Sequence, residues 1–141
     1  MTGRNSHGRW SMEEFEGRIL RYKCWGSWNA EGCVDLLNHI KGMQDEIDKG
    51  PWGTLIDIRE WELCPPEVWE AINNMVVWYN AHGLAFETLV YHSEIHRHLV
   101  SQGHETLYRP NTAFFTDYDE AHQWAKDMVT KIYTERGLTL P

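Results

Sequence analysis

The stretch WGTLIDIR, residues 52–59, decides the fold. It is short, it carries a single charge, Asp57, before its end, and Gly50-Pro51 stands directly ahead of it. An apolar run of this length behind a breaker reads as a strand buried on both faces, the kind that lies in the middle of a parallel sheet. A parallel strand needs crossover connections on both sides, so the flanking sequence must supply helices.

Upstream, Asn29 is a good helix N-cap, and Cys33, Leu36, Leu37, Ile40, Met43 and Ile47 recur at helical spacing until Gly50-Pro51. The spacing predicts one amphipathic helix across that span. Before it, residues 9–15 and 18–26 are extended in pattern with Gly17 as the break, as in a hairpin. In the second segment Leu20, Tyr22 and Cys24 alternate with Arg21 and Lys23, a period of two that leaves one face partly wet.

Downstream, Pro65 and Pro66 suit a first helical turn, where a missing N–H costs little. Val68, Trp69, Ile72, Met75, Val76 and Tyr79 then mark one helix face up to Gly83. Residues 86–91 read as a strand, 93–102 as a weaker helix and 113–116 as a last short strand. Asp117 followed by Glu120 resembles a capping box, and Ala121, Trp124, Ala125, Met128, Val129 and Ile132 form the clearest amphipathic stripe in the chain before Gly137 ends it. Two opening strands followed by strand and helix in alternation imply an α/β domain: a mostly parallel sheet of 4–5 strands built from consecutive βα units, with an antiparallel N-terminal edge strand and about four helices.

Composition narrows the function classes. At 141 residues the chain suits one domain, expected over 9–141, with the polar residues 1–8 as a disordered tail lacking a secretory apolar region. The formal net charge of −8, with no Lys/Arg cluster, removes the electrostatic drive for nucleic acid binding. No apolar run approaches the roughly 20 residues of a membrane-spanning helix. Cys24, Cys33 and Cys64 are odd in number and have no C-x-x-C spacing, which fits a reducing cytoplasm better than a disulfide framework or a thiolate zinc site.

The element order, together with G-x-W-N at residues 26–29, PWGTLIDIREWEL at 51–63, HGL at 82–84 and FFTDYDEAHQW at 114–124, resembles the STAS-like domain family. More narrowly it is similar to the branch of the sporulation anti-sigma-factor antagonist, the SpoIIAA-like proteins. The resemblance spans about residues 9 to 133 and is most specific at Asp57, Arg59 and Trp61 and at Phe115, Asp117, Ala121 and Trp124. It implies a domain that binds or regulates through protein partners, in a fold related in shape to lipid-carrying domains. It also implies a phosphorylated Ser beside an Asp in the loop after the central strand. The corresponding residues are Glu62-Leu63-Cys64-Pro65-Pro66, and no hydroxyl lies between Asp57 and Glu67 to take a phosphate.

Candidate chemistry is sparse. His92 and His96 are four apart, so on a helix they share a face and could hold a metal; exposed histidines at a polar helix start are the plainer reading. Cys64 precedes a helix N-terminus that could favour the thiolate, but the same residue also suits a small buried hydrophobe. Glu60, Glu62 and Glu67 could be paired acid/base carboxylates or simply a solvated acidic loop. The aromatic content stands out: eight Trp, with Trp25 and Trp28 flanking the end of the second strand and Trp61 following the third. In parallel α/β sheets ligands sit outside the carboxyl ends of the strands. Trp25, Trp28 and Trp61, with Tyr91 and His92 at the neighbouring strand end, are therefore the expected ligand-binding residues, unless the indoles only pack the core.

These residues point to a non-enzymatic binding or regulatory domain for a hydrophobic small molecule or a protein partner, without cofactor, catalytic residues or structural metal, and with a homodimer as one assembly it allows. The alternative is a small enzyme or metal-binding protein that uses Cys64 or the His92/His96 pair.

Overall fold

A computed structural model describes residues 7–13, 15–62, 64–94, 97–98 and 111–141. Its five-stranded sheet has the order β1-β2-β3-β4-β5, so every strand lies beside its neighbour in sequence. β1 (Arg9–Met12) is antiparallel to β2 (Ile19–Gly26), and β3 (Trp52–Trp61), β4 (Leu84–Val90) and β5 (Thr112–Phe115) follow in parallel. The helices are α1 (Ala30–Lys41), α2 (Gln44–Ile47), α3 (Pro66–Ala81) and α4 (Tyr118–Glu135).

The parallel crossovers from β2 to β3 and from β3 to β4 step across the sheet in the same direction, so the right-handed rule puts their helices on one face. Leu36 and Ile40 of α1 and Val68, Met75 and Tyr79 of α3 share a core with Leu20, Tyr22, Ile56, Ile58 and Leu89 of the sheet. The opposite face, with Leu55, Phe86 and Val90, is covered by Ala121, Ala125, Val129 and Ile132 of α4. β3 is therefore buried on both sides over seven residues, as its composition requires.

Local chemistry sets the boundaries. Asn29 caps α1 by accepting from the Gly32 N–H at 3.0 Å, and Asp117 caps α4 by accepting from the Glu120 N–H at 3.0 Å. The expected single helix up to Ile47 is two: the Gly42 N–H closes α1 onto the Asn38 and His39 carbonyls, and the chain restarts as α2. A stripe of apolar residues carries no mark of such a break, because both pieces keep their buried side on the same core. β1 is also shorter than residues 9–15. Of the expected helix at 93–102, Ser93 is not helical, Glu94, Arg97 and His98 are, and the rest falls outside the described residues. His7 and Gly8, expected in a disordered tail, are held in place: the His7 N–H donates to Asn29 Oδ1 at 2.9 Å.

The amino edge of the sheet is held by one side chain. Gly17 and Arg18 both have positive φ, +59° and +67°, in the turn between β1 and β2. For Arg18 this left-handed conformation is unfavourable by about 1–2 kcal/mol. Its guanidinium, 5% exposed, donates to four carbonyls: Pro51 from Nε at 3.2 Å, Glu46 from Nη1 at 2.7 Å, and Ile47 and Gly50 from Nη2 at 2.7 and 2.6 Å. Two of these, Glu46 and Ile47, are carbonyls of the last turn of α2, where helical hydrogen bonding runs out.

Replacing Arg18 by Ala is expected to lower unfolding free energy by about 3–5 kcal/mol, since several buried carbonyls lose a charged donor together. Arg18→Gly should be milder than Arg18→Ala by about 1 kcal/mol, because glycine accepts the positive φ. Urea denaturation of the two variants checks both the size and the order.

Candidate functional site

The two core faces differ. The side with α4 has a polar-rimmed pocket of about 220 Å³ lined by Glu16, Gly17, Ile19, Arg21, His122 and Lys126, whereas the side with α1 and α3 contains an apolar cavity of about 80 Å³. That is several times the roughly 10–15 Å³ that one water requires, and well below the roughly 300–1,000 Å³ of drug-sized sites. Trp28 and Trp61 line it at the carboxyl ends of β2 and β3; Ile56, Ile58, Leu89 and Met75 form apolar walls; and Tyr22, Tyr79 and Glu87 supply the polar groups.

Each wall follows from its element. Trp61 is the last residue of β3, 8% exposed, and its ring meets Trp69 of α3 edge-on at 5.5 Å, so the first turns of α3 hold it. Trp28, 5% exposed, lies in the turn before α1, where its Nε1–H donates to the Trp25 carbonyl at 3.0 Å. Tyr22 reaches the cavity because the period of two turns it to the same side as Leu20 and Cys24. Its hydroxyl lies 3.0 Å from that of Tyr79, a hydrogen bond between β2 and α3. Burial pushes both phenols well above their ordinary range, and each is raised further by the negative charge of Glu87, so both remain neutral hydroxyls.

The expected ligand residues divide. Trp28 and Trp61 line the cavity. Trp25 does not, and the Lys23 ammonium lies 5.7 Å from its ring. Tyr91 is buried elsewhere, against Phe114 at 6.2 Å with its hydroxyl donating to Glu94 at 2.8 Å, while His92 is exposed. Strand alternation accounts for Trp25, since its neighbour Cys24 faces the cavity, whereas Tyr91 shares the parity of Glu87 and Leu89 but lies past the end of β4. The reading of sequence alone passed over Glu87, although one acid inside the apolar run of β4 was a visible signal. Tyr79 appeared only as a member of a helix stripe.

Cys64 does not have the activated thiol that the start of a helix would favour. Burial pushes it up to about 11, with Glu67 adding to the rise against a backbone hydrogen bond that opposes it. Cys33 is likewise raised to about 12, by burial first and then by Cys64. No group of three or more His, Cys, Asp and Glu side chains that could hold a metal occurs among the described residues, and His96 lies outside them.

The pair Asp57 and Arg59 is a clamp at the exit of β3. Asp57 Oδ1 accepts from the Arg59 backbone N–H at 3.1 Å and from Nε at 2.9 Å, and Oδ2 accepts from Nη2 at 2.8 Å. Burial acts to raise the Asp57 carboxyl, but these hydrogen bonds and the charges of Arg59 and Lys23 outweigh it and hold the carboxyl below its ordinary value. The residues that carry the family resemblance thus do structural work. At the other end Asp117 caps α4, Ala121 is fully buried, and Trp124 packs against Phe86 and Phe115, each ring centre 6.0 Å away.

No family model and no curated protein matches the sequence. Among solved structures the chain is similar to an uncharacterized protein of the DUF3478 family, with a SpoIIAA-like fold, from Shewanella loihica PV-4. The TM-score is 0.66 at 16% identity, over 89% of this chain and 98% of that one. The fold is SpoIIAA-like. At that identity the likeness concerns architecture: the sequential sheet, its antiparallel edge strand and the helices on both faces. No described helix of this SpoIIAA-like domain is long and apolar enough to cross a membrane.

Two measurements follow. Cys64 should react with a thiol reagent at neutral pH more slowly than an exposed cysteine, and its rate should climb as the pH approaches about 11; intact-mass labelling against time reads this. Asp57, whose folded carboxyl lies below the ordinary value, contributes stability that is fully present above about pH 4 and is lost as the pH falls through the folded value. The stability gap between wild type and Asp57→Asn should accordingly be largest near neutrality and narrow in acid, as urea denaturation at a series of pH values will report.

Proposed function

We propose that this chain is a non-enzymatic binding domain that holds a small hydrophobic molecule in the cavity between the sheet and helices α1 and α3. The observation that carries this reading is the cavity itself, apolar over most of its lining and bordered by Trp28 and Trp61 at the carboxyl ends of two parallel strands. Ligands of open α/β sheets bind at those ends, and aromatic walls bury apolar surface while keeping a polar edge available. Its size suits a small molecule, or one terminal group of a larger one. The raised thiol of Cys64 supports binding over thiol catalysis.

The regulatory role implied by the resemblance would then depend on occupancy. The loop after β3 has no hydroxyl to phosphorylate, whereas a ligand between β3 and α3 touches both elements that flank that loop. Three free cysteines agree with a reducing cytoplasm as the place of action.

Native mass spectrometry and solvent extraction of the purified protein should reveal a co-purifying small molecule, and its binding should change Trp emission. Trp61→Ala should weaken that binding by about 1–3 kcal/mol through lost aromatic burial. Unchanged affinity in Trp61→Ala would move the site elsewhere.

A further inference from the structure

The polar end of the cavity has a definite chemical sign. Glu87 is 1% exposed and lies on β4, and the period of two turns it with Leu89 toward α1 and α3. The hydroxyls of Tyr22 and Tyr79, 3.0 Å apart, line the same cavity. The ionisable side chains lining the cavity, among the described residues, are Glu87, these two tyrosines and Cys24. All four are acids, and none can carry positive charge.

This set treats ligand head groups unequally. A carboxylate or phosphate brought into the cavity loses its hydration and meets a carboxyl group and a thiol instead of a cation, so a single tyrosine O–H is left to donate to it and its burial is poorly offset. A hydroxyl or ammonium can donate to the Glu87 carboxyl or to a tyrosine oxygen, and a hydrogen bond to an ionised partner is about twice as strong as one between neutral groups. Burial raises both phenols, so Tyr22 and Tyr79 stay protonated and present neutral hydroxyls to the ligand.

We infer that the Glu87–Tyr22–Tyr79 end of the cavity selects a hydrogen-bond donor and rejects anions, so that the ligand class is a small apolar alcohol or amine and not a fatty acid. The inference rests on the binding reading given above and adds the chemistry of the ligand's polar end.

Four probes of one shape test it: cyclopentane, cyclopentanol, cyclopentylamine and cyclopentanecarboxylate, titrated at neutral pH with Trp emission as the readout. All are transparent where tryptophan is excited, so changes report the protein's own indoles, of which Trp28 and Trp61 line the cavity. The alcohol or the amine is expected to bind at least about tenfold more tightly than the carboxylate, a difference of about 1.4 kcal/mol. Whichever of the two binds better names the donor. In Glu87→Gln the advantage of the amine over the carboxylate should shrink about tenfold, while cyclopentane affinity stays within about twofold. Tyr79→Phe, which keeps the ring, should weaken the alcohol and leave cyclopentane unaffected. Cyclopentane binding accompanied by carboxylate binding as tight as that of the alcohol and amine would overturn the inference and leave the binding reading standing. A Glu87→Gln variant that loses cyclopentane as fully as the polar probes would also overturn it, since Glu87 would then only hold the cavity's shape. Failure of all four probes to bind wild-type protein would remove the binding reading and this inference together.

Discussion

The Arg18 guanidinium is the interaction on which the rest of the sheet depends. β2 and β3 run parallel, so their starts lie side by side, and the chain reaches the start of β3 only after two helices and a tight turn. That turn presents the carbonyls of Glu46, Ile47, Gly50 and Pro51 to the start of β2, and one planar cation there donates to all four. Other elements use the same corner. The Tyr133 hydroxyl of α4 donates to the Pro51 carbonyl at 2.7 Å, and the Trp52 indole donates to the His82 carbonyl, at the end of α3, at 2.8 Å. Hairpin, crossover and both helical layers thus meet at one point.

The two ends of the sheet consequently have different properties. At the amino ends the Arg18 guanidinium ties four carbonyls together, and the backbone itself is packed closely: a Cβ on Gly53 would stand 2.2 Å from the Phe86 ring, so only glycine lets that ring lie on β3. At the carboxyl ends the chain leaves through Trp28 and Trp61, large side chains held by few directional contacts, and the core beneath them is incompletely filled. A rigid base beneath a loosely filled rim is an arrangement in which a binding site can vary without endangering the fold.

Much of this architecture was legible because it is local. The caps at Asn29 and Asp117, the proline-led start of α3 and the two-sided burial of WGTLIDIR each follow from a few adjacent residues, and all stand where periodicity and capping put them. The site was only half legible. That Trp28 and Trp61 sit at strand ends could be read from the strand boundaries; that Trp25 does not join them depends on which side of β2 each residue faces. The hydrogen bond between Tyr22 and Tyr79 joins positions 57 apart and has no local signature. The role of Arg18 was hidden for the same reason: its four acceptors are backbone atoms, which leave no trace in side-chain pattern.

The sequential strand order bears on how the molecule is made. Because each strand pairs with the one before it, a chain emerging from the ribosome meets a completed partner at every step, and the sheet can grow outward from the β1–β2 hairpin without waiting for a distant segment. The two faces do not mature together. The layer of α1 and α3 is in place by the time β4 is added, whereas Leu55, Phe86 and Val90 stay uncovered until the last helix, Tyr118–Glu135, arrives. During synthesis the nascent domain therefore passes through a stage with one finished face and one apolar face open to water, a stage in which a holding chaperone, or a pause in translation, decides between completion and aggregation.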